Sequence, residues 1–281
     1  MVIDDAGFDA YLRSPAELVA CFHAPSYRPP VLPTIALEIH ELSRRRICDF
    51  RDVKRLLERD PMVAAQVLKT AQSPLFATRT PVRSLDDALN RIGLDMLAQI
   101  VFEVTMGMTL FRQRGYEAAM DRVRKHSTAT AYFARAIAHA TKQPTELAFM
   151  CGLFHDIGVV ACLLVFAKPS PGSGIPTFEE VWPIIDPIHA EVSRLLAQLW
   201  KLPPEVQAVL SQDHRPQLND SGSTLSNTVF VADALAAELG VGLEEGPEPA
   251  LVDTIRAQIG LSDAVMPDLM TYAKSVATQI V

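Results

Sequence analysis

The sequence predicts an all-α protein whose helices form an irregular bundle. Helix start signals recur along the whole chain of 281 residues, apolar residues repeat at helical spacing, and alternating β-branched runs bounded by turns are absent. A chain of this length can bury a core in one large domain or two small ones. Apolar residues make up 49% of the chain and charged residues 21%, which excludes a disordered or fibrous protein.

The N-terminal part predicts short, tightly connected helices. Ser14-Pro15-Ala16-Glu17 combines an N-cap, a proline at the first helical position and a capping-box acid. Asp60-Pro61 begins a second helix, in which the apolar residues at 63, 67, 68 and 71 fit a 3.6-residue period. Ser84-Leu85-Asp86-Asp87 begins another helix, and Gly93 is expected to end it.

Longer helices are predicted in the rest of the chain. They are expected over residues 117–142, 145–165, 187–200, 203–213, 224–239, 248–259 and 263–280. The clearest loop lies between Pro169 and Pro176. Lys201-Leu202-Pro203-Pro204 predicts a tight turn between two helices, because a residue before proline avoids the α region, and Trp200 is then expected in the core.

The charge balance argues against direct nucleic-acid binding. The net charge is −7, from 26 basic and 33 acidic residues, whereas adhesion to phosphate backbones needs a basic surface. One basic run is interleaved with acids and predicts a solvated helical face. Its cations are Arg44, Arg45, Arg46, Arg51, Lys54 and Arg55.

The sequence also predicts a cytoplasmic protein without a membrane segment. The longest uninterrupted apolar stretch, Ile157 to Ala167, is about half as long as a bilayer-spanning helix requires. The first five residues carry two acids and do not resemble a secretory signal. The cysteines show no CxxC pairing and are expected to be small buried groups in a reducing compartment. They are Cys21, Cys48, Cys151 and Cys162.

Several ionisable residues lie on apolar helical faces, where an unpaired polar group is costly. His126 is followed by apolar residues at i+3, i+7, i+10, i+11 and i+14, so its imidazole is expected to point into the core. His139 lies about 220° further around the same helix and is excluded from a shared site. His189 heads an apolar stripe that includes Leu199 and Trp200 and is also expected to face inward.

The same pattern extends to four more residues. His214 ends one apolar stripe, Asp233 shares a face with the apolar residues at 229, 230, 236 and 237, and His155-Asp156 lies in one of the most apolar parts of the chain. For any one of them, a core residue satisfied by a backbone hydrogen bond is the commoner outcome. Together they match a divalent metal site for an ion such as Fe, Mn, Co or Zn. The candidate ligands are His126, His155, Asp156, His189, His214 and Asp233.

The order of these residues resembles the ligand order of the HD superfamily of metal-dependent phosphohydrolases, and is most similar to that of their HDOD relatives, which are bacterial signalling domains. Three segments carry the resemblance. Residues 57–74 are similar to a family helix that opens with Asp-Pro and closes on asparagine-serine, with Gln72 in place of the asparagine. The other two are Phe149 to Gly158, which contains His155-Asp156-Ile157-Gly158, and the region from His189-Ala190-Glu191-Val192 through Leu199-Trp200-Lys201-Leu202-Pro203 to Asp213-His214.

The resemblance implies an all-α fold in which a smaller N-terminal helical lobe packs on an HD-like lobe. It covers residues 33–214, with the smaller lobe over 33–112 and the HD-like lobe over 113–214. Residues 1–32 are then an N-terminal helical extension, and residues 215–281 complete the HD-like lobe and supply Asp233. The implied metal ligands are the six residues named above.

Departures from the family pattern bear on activity. The HD-GYP branch, which cleaves cyclic di-GMP, carries a lysine after its His-Asp-Ile-Gly and a Gly-Tyr-Pro downstream, whereas this chain has Val159 and Arg215-Pro216-Gln217-Leu218. The missing lysine removes a cation that could hold a substrate phosphate. Asp213, where the family often has a histidine, argues against a second metal.

Three functional hypotheses follow. The favoured one is a non-catalytic signalling module that acts through an unidentified protein partner or through a small-molecule or nucleotide ligand, with a structural or vestigial metal centre. The alternative is a metal-dependent phosphohydrolase acting on a nucleotide or phosphoester, with His126, His155, Asp156 and Asp233 as ligands. The third is a metal-free scaffold in which the cluster is only a buried hydrogen-bond network.

Overall fold

The computed structural model describes residues 14–32, 34–35, 38–39, 50–76, 80–168, 174–212, 216 and 224–280. Within these ranges the regular structure is entirely helical, which confirms the predicted all-α class. Some residues that carry predictions from the sequence lie outside the described residues. They include Arg44 to Arg46 with Cys48, residues 169–173 at the start of the predicted loop, and residues 213–215 and 217–218.

The N-terminal part of the chain consists of short helices with well-formed caps. Ser14, Asp60 and Ser84 accept hydrogen bonds from backbone N–H groups in the first turns, and Ser84 forms a capping box with Asp87. Gly93 ends one helix with a φ of 78°, a left-handed value that glycine tolerates, and the next helix starts at once. The helices are α1 (Pro15–His23), α2 (Phe50–Glu58), α3 (Pro61–Ala71), α4 (Leu85–Ile92) and α5 (Leu94–Thr109), with a 3₁₀ turn at Pro74–Phe76.

Nine further helices follow in the described residues. They are α6 (Glu117–Ala140), α7 (Thr145–Phe154), α8 (Ile157–Phe166), α9 (Phe178–Ile185), α10 (His189–Leu199), α11 (Pro204–Leu210), α12 (Thr224–Glu238), α13 (Pro249–Gln258) and α14 (Met266–Ile280), with a 3₁₀ turn at Asp186–Ile188 before α10. Long α6 lies at the centre and packs against α7, α12 and α14, while α8 packs against α10. One continuous core runs through the described helices, from Leu18 to Ala277.

The prediction of one helix over 145–165 is wrong, because the structure breaks it into α7 and α8 at His155 and Asp156. Asp156 has φ −103° and ψ 15°, outside the helical range, and its carbonyl accepts the N–H of Val159 in a turn. Consecutive residues of an unbroken helix point about 100° apart. The break therefore lets two adjacent side chains face one centre.

The turn after α10 forms as predicted. Lys201 adopts a left-handed φ of 54°, and the N–H of Leu202 donates to the carbonyl of Ala197. Trp200, expected in the core, is only half-buried, packs on the ring of Phe154 and donates its indole N–H to a backbone carbonyl in the segment after α1. Leu199, predicted on the inward stripe, is 47% exposed, because it ends α10 beside this turn.

The described part of the basic run behaves as a solvated face. Lys54 pairs with Asp86 at 2.6 Å, and Arg55 pairs with Asp52 at 3.2 Å, all at the surface. The described cysteines, Cys21, Cys151 and Cys162, are buried and reduced. Burial raises the pKa of each of these thiols, which are therefore neutral apolar groups.

Residues Thr145–Phe166 are long and apolar enough, by length and composition, to cross a membrane. However, 89% of the most apolar 18-residue window is buried inside the fold. This is the burial expected for core helices, and the stretch is the broken pair α7 and α8.

Candidate metal centre

Three buried histidines are fixed by the same kind of hydrogen bond. Each places its Nδ1 against a backbone carbonyl, so Nδ1 carries the proton and donates it, and Nε2 is left as an acceptor. The contacts are His126 Nδ1 to Val241 O at 3.1 Å, His155 Nδ1 to Gly152 O at 2.7 Å and His189 Nδ1 to Asp186 O at 2.6 Å. All three Nε2 atoms can therefore act as ligands of a cation.

These Nε2 atoms converge with two carboxylates. The Nε2 atoms of His126 and His155 lie 2.9 Å apart, and Asp156 Oδ2 lies 3.2 Å and 3.4 Å from them. Asp233 Oδ1 lies 3.2 Å from His126 Nε2, and His189 Nε2 lies 3.6 Å from Asp156 Oδ1. The ligand atoms of His126, His155 and Asp233 fall within 4.8 Å of one another.

The donor set fits a metal ion. Two imidazole lone pairs at 2.9 Å repel each other unless a proton or a metal ion lies between them. With metal–nitrogen bonds of about 2.0–2.1 Å, two ligands of one ion stand about 3 Å apart, which matches the separations in the cluster. The cluster could therefore hold a divalent ion through nitrogen and oxygen ligands.

The ligands come from separate helices and are aligned by local backbone geometry. His126 lies on α6, His155 and Asp156 lie at the break between α7 and α8, and Asp233 lies on α12. Gly240 turns the chain after α12 with a φ of 75°, which brings the next carbonyl, that of Val241, onto His126.

Two small residues bring α10 close to the break. A Cβ on Gly158 would overlap the carbonyl oxygen of His189, so only glycine permits this approach. The buried hydroxyl of Ser193 accepts the N–H of Gly158 at 2.8 Å and donates to the carbonyl of His155 at 2.8 Å. A similar approach occurs at Gly152, where a Cβ would lie 2.8 Å from the Cα of Ala131 on α6.

Sequence reasoning missed Ser193 and the carbonyl of Val241. Ser193 lies four residues after His189 and so shares its inward face, which is a signal that the pattern contained. The carbonyl of Val241 gave no signal, because any residue type supplies one.

A cavity of about 250 Å³ opens above the cluster. The ring of Trp182 stacks on His189 at one side, with centroids 6.5 Å apart, and its indole N–H donates to Glu244 at 3.0 Å. The lining is strongly acidic, and its described residues include neither lysine nor arginine. It consists of His126, Asp156, Trp182, Asp186, His189, Asp233, Ala237, Leu243, Glu244, Glu245 and Gly246.

The structure brings together five of the six predicted ligands, namely His126, His155, Asp156, His189 and Asp233. The sixth, His214, and its neighbour Asp213 lie outside the described residues. His139, which was excluded from the site, is exposed at the end of α6.

The sequence profile of the HDOD domain matches residues 30–216, two thirds of the chain. The chain belongs to the HDOD domain family. A Treponema pallidum (strain Nichols) protein without an assigned function is 25% identical to this HDOD chain over 214 residues, or 73% of the chain. The match spans only 41% of the length of that relative.

Solved structures share the HDOD fold. A Geobacter sulfurreducens HDOD domain protein of unknown function superimposes with a TM-score of 0.71 at 22% identity, covering 94% of this chain and 96% of that one. A Shewanella amazonensis SB2B protein, provisionally named a metal-dependent phosphohydrolase, gives a TM-score of 0.73 at 19% identity. The match covers 95% of this chain and 98% of that one. A Marinobacter aquaeolei VT8 protein, provisionally named a signal transduction protein, gives a TM-score of 0.66 at 19% identity. The match covers 95% of this chain and 65% of that one. At these identities the likeness establishes the fold.

Proposed function

We propose that this HDOD chain is a non-catalytic signal-transduction module that works by binding a protein or a small ligand, and that its His/Asp cluster holds one divalent metal ion as a structural centre. An ion of the Fe, Mn, Co or Zn type would be held by His126, His155, Asp156 and Asp233, with His189 beside them. Such an ion supplies positive charge, and would tie together α6, the break before α8, and α12.

The proposal that the module is non-catalytic rests on the charge of the cavity above the cluster. Five carboxylates line it, while its described lining contains no lysine or arginine. They are Asp156, Asp186, Asp233, Glu244 and Glu245. A phosphoester is anionic, and enzymes that act on it position cations around the phosphoryl oxygens. The bound ion would offset the charges of Asp156 and Asp233, but Asp186, Glu244 and Glu245 would still line the cavity and repel such a substrate.

Position 159 supports the same conclusion. The HD-GYP branch carries a lysine here, whereas Val159 is fully buried in α8 and packed in the core. Position 159 therefore supplies no cation for a phosphate, and its environment favours an apolar side chain.

The second candidate is a metal-dependent phosphohydrolase acting on a nucleotide or phosphoester. The observation in its favour is that the cluster faces an open cavity, which admits a small molecule. A bound ion would supply Lewis-acid activation of water.

Metal analysis tests the proposal. Protein purified without added metal should contain about one ion per chain. His126→Gln should contain far less, and His139→Gln, an exposed histidine on the same helix, should match the parent. A parent without metal, or equal contents in His126→Gln and the parent, would contradict the proposed centre and favour a metal-free hydrogen-bond network.

A phosphoester screen with added Mn²⁺ or Fe²⁺ tests the absence of catalysis. The non-catalytic proposal expects no turnover beyond that of the metal alone. Hydrolysis that His126→Gln abolishes and His139→Gln retains would favour the phosphohydrolase.

A further inference from the structure

A second, larger cavity, here called the inter-lobe cavity, lies between α3 and α5 on one side and α6 and α14 on the other, away from the metal cluster. Its volume is about 590 Å³, within the range of small-molecule sites. It shares no lining residue with the acidic cavity. Its walls come from α3 and the residues after it, from α5, from the middle of α6 and from the end of α14, with Leu75, Tyr132 and Gln279 among them.

The charge of this inter-lobe cavity is opposite to that of the acidic one. Among its described lining residues, Lys69, Arg112 and Arg124 are cationic and Glu103 is the one acid. Lys69 and Arg112 are exposed at its edge. Arg124 is oriented by Asp121, with Nη2 at 2.7 Å and Nε at 3.2 Å from Oδ1, and a guanidinium has five N–H donors in all. These cations favour an anionic group, and arginine suits phosphate oxygens in particular.

The buried side of the cavity carries groups that can form hydrogen bonds with the polar edges of a ligand. Glu103 accepts a hydrogen bond from the hydroxyl of Tyr132 at 2.9 Å, and burial raises the pKa of this carboxyl to about 7. Near neutral pH the Glu103 carboxyl can accept an N–H when ionised or donate when protonated. The remaining polar lining consists of Gln66, Thr70, Gln72, Ser73, Thr128 and Gln279.

Apolar groups complete the lining. Met108 and Val104 on α5 face the same space as Val276 and Ile280 on α14. Such side chains pack well on the face of an aromatic ring, and a thioether adds favourable contact with it. The cavity thus offers cations for an anionic group, hydrogen-bonding groups for polar ring edges and apolar surface for a ring face.

We propose that the inter-lobe cavity is a binding site for a nucleotide, a phosphate-bearing molecule whose planar base carries N–H groups. The phosphate would lie against Lys69, Arg112 and Arg124, and the base would reach the Glu103–Tyr132 pair. This inference goes beyond the proposed function and does not require the metal centre.

Calorimetric titration tests the site on the full chain, with GMP, AMP, CMP and UMP as probes. At least one should bind with Kd below about 1 mM. The matching nucleoside and inorganic phosphate should each bind at least about tenfold more weakly than that nucleotide, because each supplies only part of the contacts. The affinity for the nucleotide should be the same when a chelator has removed any metal from the protein. This comparison distinguishes the site from the metal centre.

Variants locate the site. The exposed pair Lys69→Gln/Arg112→Gln should weaken nucleotide binding by at least about tenfold, while Arg55→Gln/Lys168→Gln, which removes two exposed charges elsewhere, should leave it unchanged. Glu103→Gln keeps an acceptor for Tyr132 and should alter the preference among the four bases. Absence of binding by all four nucleotides, equal loss in both double variants, or phosphate binding as tightly as the nucleotide would overturn the proposal.

Discussion

The hydroxyl of Ser193 on α10 accepts the backbone N–H of Gly158 on α8 at 2.8 Å, and this bond is completely buried. The same hydroxyl donates to the carbonyl of His155, so one side chain joins α10 to the backbone on both sides of the break between α7 and α8. His189, one turn earlier on α10, is thereby held beside Asp156.

Ser193→Ala should lower the free energy of unfolding by about 1–3 kcal/mol, because it leaves two buried backbone groups without their partner. It should also reduce the metal content if the proposed centre exists. Denaturant titration and metal analysis measure the two effects. Ser211→Ala is the control, since Ser211 makes its bond to the carbonyl of Ala208 at the surface and should change stability by less than about 0.5 kcal/mol. Equal effects of the two substitutions would show that the buried link is unimportant.

Asp156→Ala should destabilise the protein by about 3 kcal/mol, because it removes the carboxylate that faces three imidazoles or their metal. If the chain is non-catalytic, no phosphohydrolase turnover exists to be lost. Urea unfolding measures the change in stability, and a phosphoester assay with Mn²⁺ or Fe²⁺ measures the turnover. Metal-dependent turnover above about 0.1 s⁻¹ in the parent, absent from the variant, would overturn the non-catalytic proposal.

Glu103 should make stability depend on pH. Because burial raises the pKa of its carboxyl to about 7 in the folded state, from 4.5, the folded protein binds more protons than the unfolded chain between these values. The contribution of Glu103 is therefore fully present below about pH 4.5 and is lost as pH rises to about 7, by at most about 3 kcal/mol. Urea titrations of the parent and Glu103→Gln at pH 5 and pH 8 measure it. The stability difference between the two proteins should change with pH, and parallel profiles would contradict the raised pKa.

Trp200→Ala should cost about 2 kcal/mol, less than the 3–5 kcal/mol typical of a fully buried tryptophan, because the side chain is half-buried. The change also removes the indole donor to the carbonyl of Pro30, 170 residues away along the chain. Trp200→Phe should recover part of the packing but not this bond. A loss under about 0.5 kcal/mol for Trp200→Ala would show that neither contact stabilises the fold.

Local patterns predicted the capped helices and the inward faces of His126 and His189, because caps and periodicity are properties of neighbouring residues. They did not predict the break at His155 and Asp156. The residues from Leu147 to Leu164 are apolar on nearly every side, so they carry no period that could mark an interruption. The contact of Val241 with His126 spans 115 residues and uses a backbone atom, and is visible only in three dimensions.

The distribution of side chains around α6 links the two cavities. Arg124, Thr128 and Tyr132 follow at four-residue intervals and face the inter-lobe cavity, while His126 lies about 160° around the helix and faces the metal cluster. The two cavities therefore share α6 as a common wall. Because nucleotide binding is expected to be the same with and without the metal, thermodynamic reciprocity requires the metal to bind equally well with and without the nucleotide.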